Sequence, residues 1–290
     1  MRLVTFSDGA AARAGVLVDE GRGIVDVGRV DPLLPSAVID LVRGGPTMIE
    51  RAREASESRV DGALLARDAV HLHAPIPVPG KFLCIGYNYR GHGADSAADI
   101  PEYPDVFAKT QNTIVGTDDV VRLPRISRAI DYEGELGVVI GATASAVSPE
   151  DALAYVAGYT VVNDVSARDV QRRGSQWVLG KSFDTFGPMG PALVTADEIP
   201  DPQALEITVR SNDTVTVRST TADMIFSVAY LVSYLSSVIT LEPGDVIATG
   251  TPGKIPEIGA LGRFMQAGDS VAITYGAVGT LVNRVVGAGA

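Results

Sequence analysis

Cysteine is almost missing from this 290-residue chain. Cys84 stands alone, so no internal disulfide can form. It lies in the apolar run Phe82 to Ile85, where a thiol packs as a small hydrophobe and is not a nucleophile. A reducing compartment fits. Basic blocks are also missing, and the formal net charge is -11. That argues against nucleic acid or an anionic membrane as a partner. No apolar run is long enough to span a bilayer. The longest apolar patch, Val228 to Ile239, is short and broken by serines, and its periodicity predicts an amphipathic core helix. Met1 to Gly15 has no apolar core of a signal peptide. A soluble, cytoplasmic protein is expected. Histidine is scarce as well. His71 and His73 alternate as strand partners do, with no acidic cluster near them in sequence, and they read as structural or exposed.

What is present is an ample apolar fraction, 46% of residues, enough for a sizeable core. Residues 1–74 read as a small leading αβ unit. Short strands are predicted at Leu3 to Phe6, Gly15 to Val18 and Ile24 to Val27, with helices near Ala37 to Val42 and Thr47 to Glu57. Residues 75–80 contain alternating prolines and form a stiff connector. Residues 81–290 carry many short strands and few helices, which predicts a β-rich α+β fold. Ser148-Pro149-Glu150-Asp151 has the chemistry of a helix start, so a helix is expected from there to about Val156. Glycine, alanine, serine and aspartate dominate from Gly91 to Asp99, a composition suited to a lid.

The chemistry concentrates at Ile130 to Gly141. Glu133 and Glu135 flank Gly134, and the β-branched run after them reads as a buried strand. Alternate residues of a strand share a face, so the two carboxylates should project together. Repulsion and lost hydration then call for a partner, most simply a hard divalent cation bound through oxygen, with Gly134 letting the backbone come close to it. A solvated strand edge is the alternative. Asp164 comes after the short strand Tyr159 to Val162 and would complete a three-carboxylate site; by itself it reads as a turn cap.

The run Gly86-Tyr-Asn-Tyr89 with His92, Asp131-Tyr-Glu-Gly-Glu135-Leu, Asn163-Asp164-Val-Ser-Ala-Arg168-Asp-Val-Gln171, Gly180-Lys181-Ser-Phe-Asp and Gly250-Thr251-Pro resembles the fumarylacetoacetate hydrolase superfamily. The likeness runs from about Lys81 to the C-terminus. It implies a mixed β-sandwich roll, a homodimer and Mg²⁺, exchangeable with Mn²⁺ or Ca²⁺, held by Glu133, Glu135 and Asp164. It also implies a catalytic Lys181 beside the metal. Arg168 and Gln171 would grip substrate oxygens, with Tyr89, Gly250 and Thr251 also lining the substrate site. Lys109 and Arg90 are further cations near these motifs, suited to drawing in an anion or to a place on the surface.

The implied substrate is a small anionic keto acid. The main expectation is metal-dependent hydrolysis of a carbon–carbon bond in a 2,4-diketo acid. Decarboxylation or keto–enol isomerisation of a 2-keto diacid such as oxaloacetate is the alternative, and binding without turnover is a third. Hydrolysis needs a base for water, which the family supplies as a His–Glu pair. Here His92 stands at the histidine position, and Asp95 replaces the glutamate with a side chain one methylene shorter. Gly250 to Lys254 is not a phosphate loop, because the full spacing and a hydroxyl residue after the lysine are lacking.

Overall fold

The computed structural model describes residues 1–58, 60–90, 100–255 and 264–289. Twelve strands join in one large mixed sheet. Along its main path the order is Leu64–Ala66, Gly23–Asp26, Arg13–Val18, Arg2–Ser7, Gly187–Thr195, Val156–Asn163, Gly134–Ile140, Val246–Ala248, Phe82–Gly86 and Asp105–Ala108. A second sheet of five strands runs Thr214–Thr220, Glu206–Ser211, Ser270–Tyr275, Gly279–Val286 and Val120–Arg122. The fold is strand-dominated, as the short apolar runs predict.

The central strands are apolar on both faces because both faces are covered. Every residue of Gly134–Ile140 is buried. On one side Leu136 and Val138 pack with Val209, Ile273 and Leu231. On the other, Val139 and Val162 pack with Leu3, Val16 and Leu41. The leading 74 residues therefore share both sheet and core with the rest of the chain. Their first strand pairs antiparallel with Gly187–Thr195, Leu3 opposite Leu193.

At Gly134 the second sheet packs directly against the strand Gly134–Ile140. A Cβ there would lie 2.7 Å from Ile273 Cγ2 and 2.9 Å from Val209 Cγ2. The missing side chain admits the second sheet against the strand that carries Glu135. The space is filled by protein, which differs from the expectation that this glycine opens the backbone to a ligand.

Two local expectations need correction. Ser148 does cap, its Oγ accepting from the Asp151 amide at 3.3 Å. The chain then forms only the 3-10 turn Ala152–Tyr155 before entering the strand Val156–Asn163. Pairing in the large sheet wins over the helix-start signal. The amphipathic helix forms as Val228–Ser236, burying Val228, Leu231, Val232 and Leu235. Val238 lies past its end and is exposed.

Candidate active site

Glu133 and Glu135 stand at the entry of the strand Gly134–Ile140, and Asp164 comes just past the end of its neighbour Val156–Asn163. The antiparallel register places Gly134 opposite Asn163. The Asp164 amide donates to the Glu133 carbonyl at 2.8 Å, and the Asn163 Oδ1 accepts from the Glu133 amide at 3.1 Å. Backbone pairing thus brings the three acids together. One oxygen from each lies within 4.8 Å of the others, and all three residues are buried.

Cations surround this trio. Lys181 Nζ lies 2.5 Å from both Glu133 Oε2 and Asp164 Oδ2. Lys109, fully buried, donates to Asp164 Oδ1 at 2.6 Å and to the Val165 carbonyl at 3.1 Å. Arg168 Nη2 reaches Glu133 Oε1 at 2.6 Å and Asp131 Oδ2 at 3.0 Å. Lys254 holds the other oxygen of Asp131 at 2.8 Å. Burial works against charge on Lys181, but the Asp164 and Glu133 carboxylates outweigh it and keep the ammonium protonated. Arg168 shows the same balance with Glu133 and Asp131.

Glu135 differs from its neighbours. Its Oε2 accepts from the Gly250 amide at 2.8 Å, and among the described residues no ion pair reaches it. Burial, then the charges of Asp164 and Glu133, push its pKa well up. A buried carboxylate in that position, facing two more oxygen ligands, fits a hard divalent cation. Glu133, Glu135 and Asp164 are the residues that would hold it.

These side chains line a small cavity, with Gly86, Tyr87, Phe107, Gln171, Trp177 and Thr251 on its walls. Gln171 accepts from Arg168 Nη1 at 3.1 Å, so those two act as one unit. Thr251 is on the wall as expected. The Gly250 amide is spent on Glu135. Tyr89, expected on the substrate wall, is instead buried in the core, where burial raises its pKa. Tyr87 occupies the wall, edge-on to Trp177. Asn88 ties the turn together through the Phe226 amide and the carbonyls of Phe226 and Thr249. Cys84 is buried behind the site, its thiol pKa pushed well up by burial and then by Asp164 and Glu135. It is no nucleophile. His92, Asp95 and the lid segment Gly91 to Asp99 lie outside the described residues.

From sequence, Lys109 reads as a surface or steering cation, whereas it is the second clamp on Asp164. Asp131 stands out there only as part of a motif. In the fold it anchors both Arg168 and Lys254, one from each oxygen. Its place one residue before Tyr132 and two before Glu133 is the available signal.

The family model described as fumarylacetoacetate (FAA) hydrolase C-terminal matches residues 81–286. The chain is 41% identical over 293 residues to the mitochondrial oxaloacetate tautomerase fahd2 of Xenopus laevis, covering 99% of this chain and 90% of that protein. It is 39% identical to the oxaloacetate tautomerase YisK of Bacillus subtilis, covering 93% of this chain and 95% of that protein. Among solved structures, maleylpyruvate hydrolase from Sphingobium sp. SYK-6, in complex with manganese(II) and pyruvate, superposes with a TM-score of 0.79. It is 30% identical, over 99% of this chain and all of that one. The carboxylate trio, its cationic frame and this full-length similarity lead to one conclusion: the chain is an enzyme that belongs to the fumarylacetoacetate hydrolase family.

Proposed function

We propose that this enzyme interconverts the keto and enol forms of oxaloacetate or a closely similar 2-keto diacid. The observation that carries the reading is the charge balance around the trio. Among the described residues, four buried or half-buried acids, Asp131, Glu133, Glu135 and Asp164, face four cations, Lys109, Arg168, Lys181 and Lys254. A divalent cation held by Glu133, Glu135 and Asp164 would act as a Lewis acid on neighbouring substrate oxygens. It would also leave the site with two surplus positive charges, which a dianion such as oxaloacetate balances.

The chain's own residues then divide the work. Lys181 stays protonated and stabilises negative charge as an enolate oxygen develops. Arg168, braced by Asp131, and Gln171 hold the substrate from the side. Thr251 offers a hydroxyl for its carboxylate. Trp177, Phe107 and Tyr87 shield the reacting atoms from water. The full-length similarity to oxaloacetate tautomerases favours this reading.

Hydrolysis of an acylpyruvate is the second reading, favoured by the maleylpyruvate hydrolase structure with bound pyruvate. It needs a base for water, for which His92 with Asp95 is the candidate pair. One experiment separates the two. The purified protein with Mg²⁺ is given enol-oxaloacetate, and loss of the enol absorbance is followed. A panel of acylpyruvates is run in parallel with mass detection of products. Mg²⁺-dependent enol loss with no acylpyruvate cleavage is expected. Cleavage to pyruvate and a second acid, with enol-oxaloacetate decaying at its uncatalysed rate, would reverse the assignment.

A further inference from the structure

A second group of metal-ligating side chains lies apart from the carboxylate trio. His71 and His73 sit on and just after the edge strand His71–Leu72, which pairs with Arg2–Ser7. Their rings meet edge to face, with centroids 4.7 Å apart. The acidic partner missing from the local sequence comes from the turn after Gly116. His71 Nε2 lies 3.1 Å from Asp119 Oδ1. One donor atom from each of the three residues lies within 4.8 Å of the others. We propose that His71, His73 and Asp119 form a second metal site, a two-histidine, one-carboxylate centre for a borderline transition cation such as Zn²⁺.

The spacing suits a shared ion. Ligands about 2.0–2.1 Å from a tetrahedral ion sit roughly 3.3 Å from one another, close to the His71–Asp119 separation. Imidazole nitrogens select Zn²⁺-like ions over the hard, oxygen-seeking Mg²⁺ of the carboxylate trio. The surroundings hold Asp119 and His73 in place. Asp119 Oδ2 accepts from the Gly116 amide at 2.7 Å. Asn283 Nδ2 donates to the carbonyls of Gly116 and Asp119 at 2.8 and 3.0 Å. Ser7 Oγ lies 2.9 Å from His73 Nε2. The neighbouring Asp118 is engaged by Arg67 at 2.7 and 2.9 Å, so Asp119 is the carboxylate turned to the imidazoles.

Gly116 makes the approach possible. A Cβ there would lie 2.4 Å from the Leu72 carbonyl oxygen and 2.5 Å from the His73 carbonyl carbon. Burial, and after it the charge of His71, lowers the His73 pKa and favours its neutral, ligating form. The side chains of His71 and Asp119 keep 40% and 32% exposure, so an ion reaches them from solvent. An ion here would join three segments distant in sequence, at residues 71–73, 116–119 and, through Ser7, the first strand. It would bind the native state alone and so stabilise it.

Co²⁺ is the probe, because a tetrahedral nitrogen- and oxygen-ligated Co²⁺ has strong visible bands. The full chain is titrated with Co²⁺ in excess Mg²⁺, which fills the carboxylate trio, and melting is followed with Zn²⁺ under the same conditions. One Co²⁺ with visible bands and a Zn²⁺-dependent rise in Tm are expected. Both should be lost in His71→Gln and in His73→Gln. Asp119→Asn, which keeps the hydrogen bond from Gly116, should weaken Co²⁺ binding at least tenfold. Mg²⁺-supported turnover should be unchanged in all three. Strong visible Co²⁺ bands that survive either histidine change, or no such bands with the wild type under these conditions, overturn the proposal.

Discussion

Lys109 and Lys181 grip Asp164 from its two oxygens, Nζ to Oδ1 at 2.6 Å and Nζ to Oδ2 at 2.5 Å. Lys109 also donates to the Lys181 carbonyl at 2.5 Å, so the first lysine positions both the acid and the backbone of the second. Breaking a buried ion pair from one side costs about 3–5 kcal/mol, since the remaining charge is left in low dielectric. Lys109→Met should therefore destabilise the metal-free chain by about that amount in urea denaturation. Added Mg²⁺ should recover more stability in the variant than in the wild type, because the ion supplies part of the missing charge. Equal Mg²⁺ effects on both proteins would deny Lys109 this role.

Much of this site is legible in the sequence, for a physical reason. Glu133, Glu135 and Asp164 sit at strand ends, and strand periodicity fixes which way such residues point. Arg168, Gln171 and Lys181 come with the motif likeness. Lys109 is not legible, because a lysine after an edge strand is exposed far more often than it is buried. Only long-range pairing of Phe82–Gly86 with Asp105–Ala108 carries it inside. Tyr89 and Tyr87 exchange places for a related reason: Tyr87 adopts a positive φ of 52°, which turns the chain and resets the alternation. The continuity of the leading residues with the large sheet is likewise hidden, since Leu3 and Leu193 pair across most of the chain and leave no local mark.

Glu135 gives a prediction with two opposite signs. Its carboxylate is buried and its pKa is raised by burial and by Asp164 and Glu133. The folded state therefore holds its proton more tightly than the unfolded state does, and above the ordinary carboxylate range its ionisation costs stability. In EDTA at neutral pH, Glu135→Gln should melt higher than the wild type. The same change removes one of the three carboxylates proposed to hold the metal, so the Mg²⁺-dependent rise in Tm should shrink. Activity should fall about 100-fold or more, given that even supporting residues of a metal site cost about 10–100-fold. A variant that melts lower in EDTA would contradict the electrostatic account, and full activity would remove Glu135 from the metal site.

Gly134 tests whether sheet packing sets the geometry of the acids. Alanine there would press on Ile273 and Val209 at 2.7 and 2.9 Å. Overpacking of this kind costs about 1–3 kcal/mol. Gly134→Ala should lose that much in denaturant, and activity should fall as well, because the residue lies between Glu133 and Glu135. Pairing it with Ile273→Val, which removes one methyl from the contact, should restore part of both. Recovery of stability with no recovery of activity would mean that the glutamates respond to something other than this contact.

Asp131 offers the sharpest separation of binding from folding. Its two oxygens hold Arg168 and Lys254, and the acid is only partly buried. Hydrogen bonds to charged groups contribute about 1.5–3 kcal/mol. Asp131→Asn keeps the size of the side chain and one acceptor oxygen but loses the charge that orients both cations. Arg168 would still be held by Glu133 at 2.6 Å, so the fold should persist, with Tm lowered by a few degrees at most. The substrate side should suffer. With Arg168 and Lys254 less fixed, KM for a dianionic keto acid should rise roughly tenfold or more, while kcat changes less. A monoanionic 2-keto acid, which does not need the surplus positive charge, should be affected less than the dianion. Equal losses on both substrates, or a loss confined to kcat, would show that Asp131 serves the carboxylate trio through Glu133 and not the recognition of a second negative charge.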